Sequence, residues 1–289
     1  MSKILVTGIT GTIGKSTVKH LLKKGVPASK IIGFCRNKER SAELIAQGIE
    51  VRLGDYSDYD SLLSAFKGVD KVMLTSAVAF TDRATQHNNV ITAARQAGVK
   101  HVLYMAIMRK EGSGRIMPEI TESDLLTEEL LRSSGLDHTI VYHPPFTDVL
   151  SIYYDSNPYK NGINVPAGNG KMAPATRDEL AEAHAEILAT EGHENKTYSL
   201  GGSEAISFVD IVEILSDIRG KPVPFLTITA QEYIDDLVAK GTPHKVAEFL
   251  KNWIVAIDEG EFDYQSGDLE SLLGRRTTTF RAYIESTLI

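Results

Sequence analysis

Short apolar runs rich in β-branched residues alternate with amphipathic stretches along the first half of the chain. The runs at 3–7, 30–35, 49–53, 71–76, 101–106 and 138–143 have the length and composition of buried strands. Between them, residues 12–24, 37–47, 58–67, 82–97 and 122–134 read as helices. In the first helix Ile13, Thr17 and Leu21 recur on one side, Val18 and Leu22 widen the stripe, and Gly25 supplies a stop. In the fourth, His87, Ile91 and Ala94 share a side and Gly98 ends the stretch. In the fifth, Thr121 or Ser123 is placed to cap, Leu126 and Leu130 share a face, and Gly135 closes it. This alternation predicts an α/β fold with a doubly wound parallel sheet, whose ligands bind beyond the carboxyl ends of the strands.

After Pro144-Pro145 the rhythm weakens. Residues 153–162 and 166–170 are turn-rich, helices are expected at 177–190, 207–219, 230–239 and 243–258, and short strands near 197–200 and 223–228. The pattern divides the chain into a nucleotide-binding domain over 1–145 and a smaller α/β substrate-side lobe over 146–289, interleaved with the first.

Composition narrows the class. With 289 residues, 42% hydrophobic and 24% charged, the chain matches ordinary globular proteins. Its apolar runs fall short of the roughly 18–20 residues of a membrane helix, and it opens directly on a strand, so a cytoplasmic location without membrane partners is expected. A net charge of −7 argues against nucleic acid as a partner. The one cysteine, Cys35, excludes an internal disulfide framework and a multi-cysteine metal site, and it suits the end of a strand as a small apolar residue. The eight histidines form no metal-binding pattern.

The chemistry is concentrated at Lys3-Ile-Leu-Val-Thr-Gly8-Ile-Thr-Gly11-Thr-Ile-Gly14, where a strand runs through three glycines into a helix. Glycines there allow a sharp turn, close approach of a diphosphate and tight helix packing, and the helix start offers free N–H donors. The spacing is GxxGxxG, so the weight falls on context. At the end of the second strand, where an NAD site carries an acid, the chain has Arg36-Asn37. A guanidinium can pair with a 2′-phosphate, which favours NADP(H) over NAD(H). A solvated Arg36, or one stacked on adenine, is the alternative. After the third strand, Asp55-Tyr56 can meet the adenine edge, although Asp55 equally suits a turn.

With these segments in hand, the chain resembles the NmrA-like atypical short-chain dehydrogenase/reductases, and among them the type 2 NAD(P)H:quinone oxidoreductases and triphenylmethane reductases. The likeness is carried by Val6–Gly14, Arg36-Asn37, Val51–Asp55, Ala94–His101, Thr127-Glu128 and Gly192–Tyr198. It implies a Rossmann-type domain with Gly8, Thr10, Gly11, Thr12, Ile13 and Gly14 at the diphosphate, Arg36 and Asn37 at the 2′-phosphate, and Asp55 and Tyr56 at adenine. It further implies that Thr75, Ser76, Ala77 and Val78 run beside the ribose towards the nicotinamide, which Met105, Ala106, Tyr142, His143 and Pro144 flank. Where some members carry a histidine before Thr-Glu, this chain carries Asp124.

A conventional acid is missing. None of the eleven tyrosines has lysine four residues later, so the Tyr-x-x-x-Lys device of alcohol dehydrogenases is absent. Tyr104 and His143 are the candidate donors; for His143 a structural role is the alternative. Ser123 and Asp124 suit a helix N-terminus as well as acid/base work, and Arg177-Asp178 suits capping and a surface ion pair. Quinones and triarylmethane cations need little enzymatic proton donation, so the expected function is NADPH-dependent hydride transfer to a planar acceptor, without metal or flavin. Val78, Phe80, Met105, Ile107, Met108, Phe146, Tyr153, Tyr154 and Met172 are candidates for an apolar pocket, each with ordinary packing as its alternative. The rival functions are a non-catalytic NADP(H)-binding regulator and a carbonyl or imine reductase with an atypical donor. A homodimer is compatible with all three.

Overall fold

The structure is a computed structural model describing residues 2–154 and 157–287; Asp155 and Ser156 of the expected turn at 153–162 lie outside the described residues. Strands β1 (Ile4–Thr7), β2 (Ile31–Cys35), β3 (Glu50–Leu53), β4 (Lys71–Leu74), β5 (His101–Ile107) and β6 (Asp137–His143) alternate with helices α1 (Thr12–Lys23), α2 (Ala42–Ala46), α3 (Tyr59–Ala65), α4 (Arg83–Ala97) and α5 (Thr121–Ser133). Each βα unit crosses over and returns parallel, giving the order β3-β2-β1-β4-β5-β6. Winding reverses between β1 and β4, where Ile4 pairs with both Ile31 and Lys71. That reversal opens a crevice at the carboxyl edge.

Beyond Pro145 the chain adds α6 (Pro158–Asn161), β7 (Ile163–Val165), α7 (Arg177–Ala189), β8 (Lys196–Ser199), α8 (Phe208–Arg219), β9 (Phe225–Thr227), α9 (Ala230–Ala239), α10 (His244–Asp258), α11 (Asp268–Leu273) and α12 (Phe280–Thr287). It returns to the main sheet once, where β8 pairs with β6 as its seventh strand, and β7 pairs with β9 in a separate ribbon. Three apolar clusters follow. Val18 and Leu21 of α1 and Leu180 and Ile187 of α7 cover one sheet face. Leu62, Val90, Ile91 and Leu131 of α3, α4 and α5 cover the other. The third cluster, with Phe208, Ile211, Ile254 and Phe262, is the core of the C-terminal lobe. Among the described residues no helix is long and apolar enough to cross a membrane.

Several expectations need correction. Residues Thr147–Tyr153 form 3-10 turns, and β7, α11 and α12 arise where no element was expected. Helix α5 buries Asp124, Thr127, Glu128 and Leu131, while Leu126 is 42% exposed. The inward polar groups have partners there, so of the two leucines expected to share the buried face Leu126 is turned outward and Leu130 packs only partly against the sheet core. Neither Thr121 nor Ser123 caps this helix; Ile120 is its N-cap, Thr121 Oγ1 accepts from Met117 N–H, and Ser123 Oγ donates to the Ile120 carbonyl. At α7 the cap is Thr176, Arg177 pairs with Asp148 at 2.6 Å, and Asp178 faces His20 at 3.3 Å.

Candidate functional site

A cleft of 290 Å³ lies over the carboxyl ends of β1 to β4. Its floor is the glycine turn. Gly8 sits at φ +64° and its carbonyl accepts from Gly11 N–H at 2.9 Å. A Cβ at Gly14 would fall 2.4 Å from the Gly8 oxygen, so this glycine is required for α1 to close on the turn. A Cβ at Gly11 would meet only that oxygen, at 3.3 Å. Gly11 therefore leaves room for a ligand and not for a neighbouring side chain. It is also the N-cap of α1, which has no capping side chain and no acid in its first turn. The first-turn N–H groups, on Thr12, Ile13 and Gly14, are thus suited to an anion.

The β2–β3 rim carries the side chains that could recognise adenosine. Arg36 is 78% exposed, with Nε 3.9 Å from Asp55 Oδ2. Asp55 Oδ1 accepts from Ser57 N–H at 2.8 Å, so Asp55 stabilises a turn and faces the cleft at once. Tyr56 stacks on Phe34 with centroids 6.2 Å apart. Its hydroxyl donates to Thr7 Oγ1, which itself donates to the Met73 carbonyl. Burial pushes the Tyr56 phenol well above its ordinary range. Asn37 does not line the cleft; its Oδ1 accepts from Glu39 N–H at 2.8 Å.

On the other side, Thr75, Ser76, Ala77 and Val78 form a wall, with Thr81 and Gln86 beyond. Ser76 Oγ donates to the Met105 carbonyl. Tyr104, Met105, Tyr142, His143 and Pro144 are not among the residues lining the cleft. Tyr104 is fully buried and donates its hydroxyl to Asp124 at 2.8 Å; burial first, then the Asp124 charge, holds its pKa well above 10. His143 lies against His184, Nε2 to Nε2 at 2.8 Å, with the rings stacked. Burial lowers His143 to about 3, which keeps it neutral. Tyr142 donates to buried Glu128 at 2.8 Å, under the Arg109 guanidinium.

Of the apolar candidates, Val78 faces outward at the cleft and Phe80, at φ +69°, stacks edge-on against Phe249 with Lys245 over its ring. Ile107, Met108, Tyr153, Tyr154 and Met172 belong to the C-terminal core, and Phe146 and Met105 to the sheet core. The cleft also uses Phe34, Cys35, Gly54, Thr81 and Gln86, which sequence reasoning did not single out for it. The first three adjoin Arg36 and Asp55, so extending each motif by one or two residues finds them; Thr81 and Gln86 carry no such signal.

A model of the NmrA-like family matches residues 1–284. The chain belongs to the NmrA-like family. Quinone oxidoreductase 2 of Escherichia coli (strain K12) is 34% identical over 279 residues, spanning 96% of this chain and 95% of that protein. A crystal structure of an Escherichia coli NADPH-dependent quinone oxidoreductase complexed with NADPH superposes with TM-score 0.93 at 32% identity, covering 99% of this NmrA-like chain and 100% of the other. The Citrobacter sp. triphenylmethane reductase complexed with NADP(H) superposes with TM-score 0.90 at 36% identity, covering 98% and 99%.

Proposed function

We propose that this protein is an NADPH-dependent oxidoreductase passing hydride to a quinone-like or other conjugated, planar acceptor without a side-chain acid. The cleft fits the cofactor: Gly11 gives the diphosphate room, the open first turn of α1 suits its charge, and the exposed Arg36 guanidinium suits a 2′-phosphate better than a bare ribose. Bound NADPH would supply the hydride; the chain would orient it and keep water off one face. The observation that carries the acceptor class is the engagement of both candidate acids elsewhere, Tyr104 with Asp124 and neutral His143 with His184. An acceptor that takes hydride without a delivered proton suits such a site. The names of the Escherichia coli and Citrobacter relatives point the same way.

The test is NADPH and NADH oxidation against quinones, triarylmethane dyes, aldehydes and imines. Turnover is expected with quinones and dyes, NADPH being preferred. Tight NADP(H) binding without turnover on any of them would replace this reading with that of a redox-sensing regulator.

A further inference from the structure

Behind the cleft wall lies a buried ion pair. Arg83 is 5% exposed and Asp124 0%, and Nη2 meets Oδ1 at 2.6 Å. Burying opposite charges contributes little net stability, so the use of such a pair is sought in the geometry it fixes. Here Arg83 reaches the cleft-lining Ala77, and the other bonds of both partners go to groups behind the wall. Arg83 Nη1 donates to the Ala77 carbonyl and Nε to Ser123 Oγ at 2.8 Å. Asp124 accepts the Ile107 N–H at 2.9 Å and the Tyr104 hydroxyl at 2.8 Å.

The other end of the Ala77 unit is held as well. Its N–H donates to His87 Nε2 at 2.9 Å. His87 Nδ1 lies 2.9 Å from Thr127 Oγ1, whose own hydrogen goes to the Ser123 carbonyl at 2.6 Å. Thr127 must then accept, which places the His87 proton on Nδ1. Burial, with the Arg83 charge, lowers His87 to about 3, so this neutral tautomer persists. Ala77 is clamped at both its N–H and its carbonyl, and the same carboxylate ties down the end of β5.

Sheet order gives the clamp its meaning. Arg36 follows β2, the glycine turn follows β1, and Ala77 and Ile107 stand beyond, after β4 and on β5. A dinucleotide with its diphosphate on the glycine turn and its phosphorylated ribose at Arg36 extends its other half across β4 towards β5. We infer that Arg83 and Asp124 are a positioning pair that sets the nicotinamide-side wall of the cleft through Ala77, anchored behind it to the end of β5 at the Ile107 N–H, without touching the cofactor. This rests on the NADP(H) reading proposed above.

Two variants test it. Arg83→Met/Asp124→Leu removes both charges at similar volume, and Arg83→Lys keeps the charge opposite Asp124 while losing the fork that reaches Ala77 and Ser123 together. Arg83→Lys is expected to melt near the wild type and the double variant lower, because it leaves the buried Tyr104 hydroxyl and the Ile107 N–H without their acceptor; both are expected to bind NADPH within about threefold, since the β1–β2 side of the cleft is untouched. Turnover is expected to fall by about 100-fold in the double variant and about tenfold in Arg83→Lys, as displacement of a reacting group does. The fluorescence of bound NADPH should shift towards that of the free cofactor in both. Wild-type kcat and fluorescence in either folded variant would overturn the inference, and Arg83→Lys decides alone if the double variant does not fold. Should the wild type bind NADPH yet reduce no acceptor, the proposed reaction fails while the fluorescence still reads the wall.

Discussion

The two sides of the cleft are built differently. On the β1–β3 side, recognition is direct: an exposed guanidinium, a carboxylate beside it and an uncapped helix start stand at the surface. On the β4–β5 side, the cleft presents mostly backbone and small side chains, held from behind by Arg83, His87, Asp124 and Thr127. The first side selects a ligand by what its side chains are; the second does so by where remote side chains hold a peptide. Substitutions on the first should therefore change binding with little effect on folding, and those on the second should change geometry.

The largest effect is expected at the glycine turn. Gly11→Val should weaken NADPH by about 100-fold or more, equivalent to roughly 3 kcal/mol, with a loss of stability of no more than about 1 kcal/mol at this N-cap, because the added atoms enter the cleft and not the core. Gly14→Ala should instead lose stability, by about 1–3 kcal/mol, because its Cβ collides with the Gly8 oxygen. Titration of NADPH fluorescence beside thermal melts separates the two. Matching losses of stability would erase the distinction between a glycine that serves the ligand and one that serves the fold.

Next comes Arg36→Asp. A charge-assisted hydrogen bond to a phosphate is worth about 1.5–3 kcal/mol, so NADPH affinity should fall roughly 10- to 100-fold and NADH affinity much less. Equal losses for the two cofactors would mean that Arg36 stacks or stabilises the loop without reading the phosphate. That would make the β2 rim as indirect as the β4 wall.

The same asymmetry explains what was legible in the sequence. Gly8, Gly11, Gly14, Arg36 and Asp55 sit in short contiguous runs at strand ends, so local spacing places them, and the strands and helices from β1 to β6 follow from periodicity. Asp124 illustrates the opposite case. Its helix position suggests a solvated N-terminus, and Leu126 beside Leu130 suggests the buried face. Only the three-dimensional meeting of Arg83, Tyr104 and the Ile107 N–H turns that carboxylate inward. Strand β7 was missed because three residues between Gly162 and Pro166 hold too little pattern, and its pairing with β9 links positions roughly sixty residues apart. Helix α12 is short and follows three threonines, yet Phe280, Tyr283 and Ile284 recur at helical spacing, so its signal was present in the sequence.

The smallest effect is expected at Tyr104, and it is the most discriminating. A phenol that delivers a proton in the transition state contributes about 10²–10⁴-fold, and its removal should appear in kcat with carbonyl and quinone acceptors alike. The Tyr104 hydroxyl is fully buried, points at Asp124 and has its pKa held well above 10, all of which oppose delivery. Tyr104→Phe deletes one of three donors to a carboxylate that keeps Arg83 and the Ile107 N–H. Quinone reduction should then fall only a few-fold, with KM for NADPH unchanged, and His143→Gln, on a histidine paired with His184, should behave alike. A hundredfold loss in kcat at Tyr104 would mean that the hydroxyl leaves Asp124 during turnover. The β4–β5 side would then supply a reacting group as well as a wall.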